Sequence, residues 1–331
     1  MHRAEIFMCK RYGRMQREIG VVMDPIGSIK IAKDSAFAMM LAADRRQWRI
    51  QYMELSDLFM RDDRAWARMR EVRVRDDAAS WHRFCGEQTR PLDTLPVILM
   101  RKDPPFDMEY IYATYLLEQA QARGSRVVND PRSLRDANEK VFTVQFPQCC
   151  PPTLITRRNG DLAEFLTRHL EVILKPLGGM GGLSIFRVKT GDPNFNVIVE
   201  TLTDHGNRFC MAQKFIPEIA DGDKRVLLLD GDPVPYALAR IPRPGETRGN
   251  LAAGGTGIGQ PLSERDRWIA SQVGPELRRR GILFAGLDVI GDYLTEINIT
   301  SPTCIRELDA RFGLDIAGDL LTKLEESMGV A

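Results

Sequence analysis

The sequence predicts a mixed α/β protein, α/β in its first half and α+β overall, built from two or three subdomains. Three observations predict it. The chain has 331 residues, beyond the size at which a single hydrophobic core usually stops growing. Between residues 18 and 138, short apolar runs alternate with helix-period segments, the pattern of a parallel sheet covered by helices. After a boundary marked by Pro147, Pro151 and Pro152, strand pairs joined by turn residues become frequent.

Taken in order, Val21, Val22 and Met23 lead a short buried strand, turned by Asp24-Pro25-Ile26-Gly27. Asp34 or Ser35 can cap a helix running to about Arg46, because either side-chain oxygen satisfies a free N–H at the helix start. Strands follow at Ile50 to Met53 and Val97 to Met100. A helix from Asp107 to Ala122 ends at Gly124, and Arg126 to Val128 is a further strand. In the second half, strands are expected at Leu154-Ile155, Val172 to Leu174, Ser184 to Val188 and Met211 to Phe215. Arg225 to Leu229 and Val234 to Ala239 flank Asp230-Gly231, which suits a tight hairpin turn. The segment 241–261 carries glycines 245, 249, 254, 255, 257 and 259, lacks periodicity and reads as a long mobile loop. A helix with Ile269, Val273 and Leu277 on one face precedes a hairpin around Gly291-Asp292.

Composition narrows the function classes. Hydrophobic residues make up 44% and charged residues 27% of the chain, and 46 Lys and Arg nearly cancel 45 Asp and Glu, leaving +1. That balance gives no general attraction to nucleic acid or to an anionic membrane. No apolar run approaches the roughly 18 residues of a membrane span. Six cysteines without a C-x-x-C and with only four histidines form neither a disulfide framework nor a zinc site, and read as reduced cytoplasmic thiols. Residues 1–17, with Arg3, Lys10, Arg11, Arg14 and Arg17 against Glu5, read as an N-terminal extension, disordered or a non-native start, with Met15 as an alternative start. Its apolar stretch is too short for a signal peptide.

Chemistry shows in three places. Lys175-Pro176-Leu177-Gly178-Gly179-Met180-Gly181-Gly182 lies between two strands. Glycines there let backbone N–H groups approach phosphate oxygens; a merely flexible hairpin is the other reading. It is no Walker A loop, since the G-K-[ST] ending is absent. Next, Asp288 precedes Glu296 and Asn298, which strand alternation puts on one face. Two carboxylates and an amide oxygen are hard ligands of the kind Mg²⁺ takes beside phosphates, or else an exposed polar face. Last comes the basic set Arg101, Lys140, Arg225, Arg240 and Arg248. Arginine forks suit carboxylate or phosphate. Lys140 is placed late in a helix, and Arg225 and Arg240 in the two arms of one hairpin.

These elements resemble the bacterial glutathione synthetase family of ATP-grasp ligases. The likeness is carried by Met23-Asp24-Pro25-Ile26, Arg101 to Asp107, Lys175 to Gly182, Gly222-Asp223-Lys224-Arg225, Gly245 to Gly255 and Thr295 to Thr303, in matching order from about residue 18 to the C-terminus. The resemblance implies an N-terminal pre-ATP-grasp substrate domain over 18–138. It also implies a small ATP-grasp subdomain over 139–216 and a large one over 217–331, with a lid at 241–261. ATP would be bound by Lys140, Lys175, Gly178, Gly179, Gly181 and Gly182, by the adenine hinge Gln213, Lys214, Phe215 and Ile216, and by Asp223 near the ribose. Asp288, Glu296 and Asn298 would hold Mg²⁺ or Mn²⁺. Arg225, Arg240, Arg248 and Asn250 would be catalytic, and Arg101, Arg225, Arg248, Ser301, Pro302 and Thr303 would contact substrate.

The implied activity is ligation of γ-glutamylcysteine to glycine through an acyl phosphate, in a cytoplasmic homotetramer. The implied partners are small molecules, with neither nucleic acid nor membrane among them. Another ATP-grasp ligase with a different peptide or amino-acid substrate, and a catalytically silent ATP-binding module, are the alternatives. The sequence departs from the family pattern at Gly178, where Asp is common, at Thr256 and Ile258-Gly259-Gln260, which replace a more polar end, and in the N-terminal extension.

Overall fold

A strand that is apolar at every position needs both of its faces covered. Val97–Met100, buried at each residue, is such a strand. The structure, a computed structural model, describes residues 17–179, 181–243, 245–246, 249 and 254–329. The chain packs as two units. The first comprises the residues up to Asp103, Asp107–Leu134 and those from Thr303 onward; the second comprises Pro104–Phe106 and Arg135–Pro302.

In the first unit, β1 (Glu18–Val22) leads through α1 (Ser35–Arg45) to β2 (Arg49–Met53). Next come β3 (Leu58–Arg61), β4 (Arg64–Val74), β5 (His82–Pro91) and β6 (Val97–Met100). Then α2 (Met108–Ala122), β7 (Arg126–Val128) and the short α3 (Pro131–Asp136) follow. The strands form one sheet ordered β3-β4-β2-β1-β6-β7, with β5 on β4. Strands β2, β1, β6 and β7 are parallel, as expected. To this parallel core residues 58–91 add β3, β4 and β5, which pair antiparallel and were not expected from the sequence. Asp34 caps α1, accepting the Phe37 N–H at 2.6 Å, and Asp107 caps α2, accepting the Tyr110 N–H at 2.9 Å. Each cap is worth about 1 kcal/mol. Of three tyrosines on α2, Tyr110 is buried, whereas Tyr112 and Tyr115 are exposed.

The second unit holds two antiparallel sheets. Four strands, β8 (Thr153–Thr156), β9 (Glu171–Pro176), β10 (Phe186–Lys189) and β11 (Cys210–Lys214), are ordered β10-β9-β11-β8. Helices α4 (Asn159–His169) and α5 (Phe195–Thr203) cover this sheet through Leu162, Phe165, Leu166, Val199 and Leu202. The other sheet is ordered β14-β13-β12-β15-β16, from β12 (Asp223–Leu229), β13 (Asp232–Ile241), β14 (Thr256–Pro261), β15 (Phe284–Ile290) and β16 (Tyr293–Asn298). The β12–β13 hairpin turns at Asp230 and Gly231, both at positive φ, as the Asp-Gly pair predicts. Helix α6 (Glu264–Arg279) starts at a Ser263–Asp266 capping box and buries Ile269, Val273 and Leu277.

Strand β14 corrects the reading of 241–261 as one loop: Thr256–Pro261 pairs with Ile241 back to Tyr236. Its Gly-Ile-Gly alternation offers no apolar face, so only the ladder with β13 makes it a strand. The tail helices α7 (Ile305–Phe312) and α8 (Ile316–Ser327) pack in the first unit. The sequence reading carried the second half through 331; the tail's apolar face instead meets α1, where Arg46 reaches Glu325 at 2.7 Å and Thr322 at 2.6 Å. Cys149, Cys150, Cys210 and Cys304 are free thiols. Among the described residues no helix is long and apolar enough to cross a membrane.

Candidate active site

The cross-strand register of the five-stranded sheet assembles most of the polar residues singled out in the sequence. Asp288 on β15 stands opposite Arg225 on β12 and opposite Glu296 on β16, while Asp223 pairs with Arg240 on β13. Register places these side chains on one face, where Asp223, Arg225, Arg240 and Asp288 are buried and Glu296 is half-buried. Arg225 and Asp288 meet in a fork, Nε to Oδ1 at 2.5 Å and Nη2 to Oδ2 at 3.1 Å. Arg240 bridges two acids, donating to Asp223 and lying 3.0 Å from Asp288. Planar guanidinium forks are the cations that suit such shared carboxylates.

Electrostatics sorts the two aspartates. Burial works against the Asp288 charge, but Arg225 and Arg240 outweigh it and hold the carboxyl down to about 2. Burial pushes Asp223 up to about 7, with Asp288 and Glu296 adding to the effect and Arg240 and Arg225 opposing it. Among the described residues its buried Oδ1 has no hydrogen-bond partner.

The lysines reach the same face from other elements. Lys175 closes β9, is buried, and has its Nζ 3.8 Å from Glu296. Lys140 Nζ lies 3.6 Å from the same Glu296 oxygen, donates to Glu139 at 2.8 Å, and donates to the Gly179 carbonyl at 3.3 Å. Burial lowers the Lys175 pKa, with Glu296 opposing it and Lys140 adding to it. Burial also acts on Lys140, but Glu296 and Glu139 outweigh it, and its pKa is raised.

Lys140 is not late in a helix, as the sequence reading placed it; it caps a short 3₁₀ turn, Val141–Gln145. Asn138 fixes that turn by accepting the N–H groups of Lys140 and Val141 at 3.0 Å each, and its amide donates to the Leu177 carbonyl at 3.1 Å. Glu139 accepts the Ile297 N–H at 2.8 Å through its carbonyl. Asn138 and Glu139 therefore tie the lysine turn to the glycine-rich loop and to β16. Sequence reasoning missed both, although each adjoins or nearly adjoins Lys140.

The glycine-rich loop joins β9 to β10, and Gly179, Gly181 and Gly182 all have φ between 70° and 107°. Side chains disfavour that conformation, which is why glycine recurs here. A Cβ at Gly178 would meet nothing within 4 Å, so that departure from the family pattern leaves open space. In the proposed hinge, Gln213 is buried and donates to Thr153 at 3.1 Å. The N–H groups of Lys214 and Phe215 donate to the Pro152 and Glu171 carbonyls at 3.0 Å each, and Ile216 is buried.

Of the remaining candidates, Arg248 and Asn250 lie outside the described residues. Ser301 and Pro302 follow β16 in the second unit, and Thr303 opens the tail of the first. Arg101 follows β6 in the first unit, buried, its N–H donating to the Val22 carbonyl at 2.7 Å. Burial lowers its pKa, opposed by Asp34 and Asp103.

A divalent cation fits part of this constellation. Asp288 is committed to two arginines. Glu296 has its nearest cations 3.6 and 3.8 Å away, and Asn298 uses its amide N–H on Gly286 (3.4 Å) and Asp288 (3.3 Å), so its carbonyl oxygen is left for another partner. One carboxylate oxygen and one amide oxygen two residues apart on one strand, beside a second acid, are the hard donors such an ion takes.

Comparisons with known proteins agree along nearly the whole chain. Residues 18–135 match the family described as prokaryotic glutathione synthetase, N-terminal domain, and residues 139–323 match prokaryotic glutathione synthetase, ATP-grasp domain. By sequence the latter family extends into the tail that packs with the first unit. A glutathione synthetase of Pseudomonas aeruginosa is 61% identical over 307 residues, covering 93% of this chain and 97% of that protein. One of Escherichia coli (strain K12) is 58% identical over 308 residues, covering 93% and 98%. Among solved structures, the D-cycloserine synthetase DcsG aligns with a TM-score of 0.64 at 12% identity, covering 94% of this chain and 99% of that one. The ATP-grasp ligase PsnB with its minimal precursor aligns at 0.61 and 14%, covering 95% and 100%. These distant structures establish the ATP-grasp fold, and the close relatives establish more: the chain belongs to the prokaryotic glutathione synthetase family.

Proposed function

We propose that the chain ligates γ-glutamylcysteine to glycine, converting ATP to ADP and phosphate. One observation carries the reading. Lys175 is buried, and among the described residues the carboxylate within salt-bridge reach of it is Glu296, which it shares with Lys140. An ammonium so placed awaits an anion, and a glycine-rich loop whose N–H groups suit phosphate adjoins it.

The chemistry follows from what a carboxylate lacks. It is a poor electrophile until one oxygen becomes a phosphate leaving group. Attack of the cysteinyl carboxylate on the γ-phosphoryl group gives an acyl phosphate. The glycine amine then adds to that carbonyl, and phosphate leaves. Phosphoryl transfer asks for positioning and charge stabilisation more than for a nucleophilic side chain. Lys140, Lys175 and the 178–182 loop take the phosphates, residues 213–216 take the adenine, and Asp223 takes the ribose. Asp288, Glu296 and Asn298 are the residues that would hold Mg²⁺ or Mn²⁺, which when bound neutralises phosphate charge. Arg225 and Arg240, with Arg248 and Asn250, stabilise charge developing on the acyl group. Arg101, Arg225, Arg248, Ser301, Pro302 and Thr303 contact the peptide. Homotetrameric assembly and a cytoplasmic location complete the proposal on the strength of family membership.

The test is ADP release on adding γ-glutamylcysteine with and without glycine, with glutathione measured alongside. Equal ADP and glutathione with glycine present supports the reading. Faster turnover with another acceptor would point to a different ligase, and no release with any acceptor to a silent nucleotide-binding module.

A further inference from the structure

Three residues from three segments close a ring of contacts around the segment 213–216. Glu171 opens β9, Arg187 lies on the neighbouring edge strand β10, and Phe215 follows β11. Arg187 Nε donates to the Glu171 carboxylate. The Arg187 guanidinium carbon sits 3.9 Å from the centroid of the Phe215 ring. The Phe215 N–H donates to the Glu171 carbonyl at 3.0 Å, which closes the ring. Lys189 adds a looser contact to Glu171 at 3.6 Å.

An isolated surface ion pair contributes little. What sets this one apart is that the carboxylate orients the guanidinium plane over a ring belonging to the hinge. A lysine could keep the charge on Glu171, but it has no flat face to stack. The backbone on either side is already tied down, Lys214 N–H to Pro152 and Phe215 N–H to Glu171. The ring is the part of the hinge that Arg187 alone restrains among these contacts.

We propose that Arg187 is a positioning residue for the nucleotide base. It fixes the Phe215 ring, and through it the hinge against which the base lies. The inference rests on the proposed adenine role of residues 213–216 and deepens it. It concerns ATP affinity and the choice of base, with no part in the chemical step.

The experiment compares Arg187→Ala, Arg187→Lys and Phe215→Leu in the full chain, with Arg168→Ala, which breaks an exposed pair on α4, as a control. Steady-state constants are measured for ATP, GTP and γ-glutamylcysteine, and melting temperature is followed in parallel. Loss of the stack should raise KM for ATP about fivefold in Arg187→Ala and Phe215→Leu. It should lower the ATP-over-GTP ratio of kcat/KM in both variants and, in Arg187→Ala, leave kcat and KM for the peptide near wild type. Arg187→Lys should resemble Arg187→Ala, because the ion pair alone does not hold the ring. An unchanged KM for ATP overturns the proposal. So does a uniform loss across all constants with a falling melting temperature, which would mean a structural role only. If the wild type does not ligate γ-glutamylcysteine, the functional reading fails separately, and direct titration with ATP and GTP still decides this one.

Discussion

Asp288 and Glu296 are register partners across β15 and β16, yet different cations serve them: Arg225 and Arg240 hold Asp288, while Lys140 and Lys175 face Glu296. The contacts differ in kind as well. Those to Asp288 are close and forked, at 2.5 to 3.1 Å, whereas those to Glu296 are 3.6 and 3.8 Å. Asp288 is the counter-charge for two buried arginines in addition to its place in the proposed ion site. Glu296 has oxygen lone pairs left to use.

That asymmetry makes opposite predictions for two conservative substitutions. Glu296→Gln should fold normally and lose on the order of 100- to 1,000-fold in turnover, the scale of removing one electrostatic stabiliser of a transition state. Steady-state assays at saturating Mg²⁺ check it, and near-normal turnover would remove Glu296 from the proposed ion site.

Asp288→Asn should show first in stability. It leaves Arg225 and Arg240 buried with Asp223 as the remaining acid partner in these contacts, and breaking a buried pair costs about 3–5 kcal/mol. Urea unfolding without ligands should show a larger loss for Asp288→Asn than for Glu296→Gln. The reverse order would contradict the division of roles.

Gly286→Ala tests the packing around Arg225. A Cβ there would sit 2.8 Å from Arg225 Cδ and 2.9 Å from Pro302 Cβ, closer than side chains tolerate. Overpacking of this kind costs about 1–3 kcal/mol. Because the clash pushes Arg225 away from Asp288, kcat/KM should fall more than the stability loss alone explains. Wild-type kcat/KM in a stably folded variant would show that Arg225 can shift freely.

Acid–base behaviour offers a prediction away from the site. Asp309 accepts the Ile316 N–H at 3.1 Å, and burial pushes its carboxyl up to about 6, with Asp315 and Asp319 adding to the effect and Arg45 opposing it. The folded chain therefore keeps this proton at pH values where the unfolded chain, with an ordinary value near 4, has lost it. Between those limits the folded state binds more protons, so the contribution of Asp309 to stability falls as pH rises from about 4 to about 6. Asp309→Asn should melt higher than wild type at pH 7, with the difference shrinking towards pH 4. A constant difference across that range would rule out the shift.

Much of this organisation was legible in the chain. Asp34 as a cap, the Asp230-Gly231 turn and the Glu296/Asn298 face all follow from local rules that the packing does not override, whereas Asp107, read as the first residue of its helix, is its cap. Strand β4 was missed for a specific reason. Ala65, Ala67 and Met69 alternate with polar or half-buried neighbours, but a bulge between Glu71 and Val72 shifts the phase, and burial resumes at Val72 and Val74. Strand β14 has no apolar face to read and exists through its ladder to β13. The coupling of Asp223, Arg240 and Asp288 was not legible either, because it depends on the register of three strands, and register is a property of the assembled sheet. Asn138 and Glu139 act through backbone and capping bonds that no motif announces.

The most direct measurement follows oxygen through the reaction. With both oxygens of the cysteinyl carboxylate of γ-glutamylcysteine labelled as ¹⁸O, one turnover in the presence of ATP and glycine should put one labelled oxygen into the released phosphate and keep the other in the new amide. Label in phosphate is the result that carboxylate attack on the γ-phosphoryl group requires. Unlabelled phosphate, or label appearing in AMP, would contradict it.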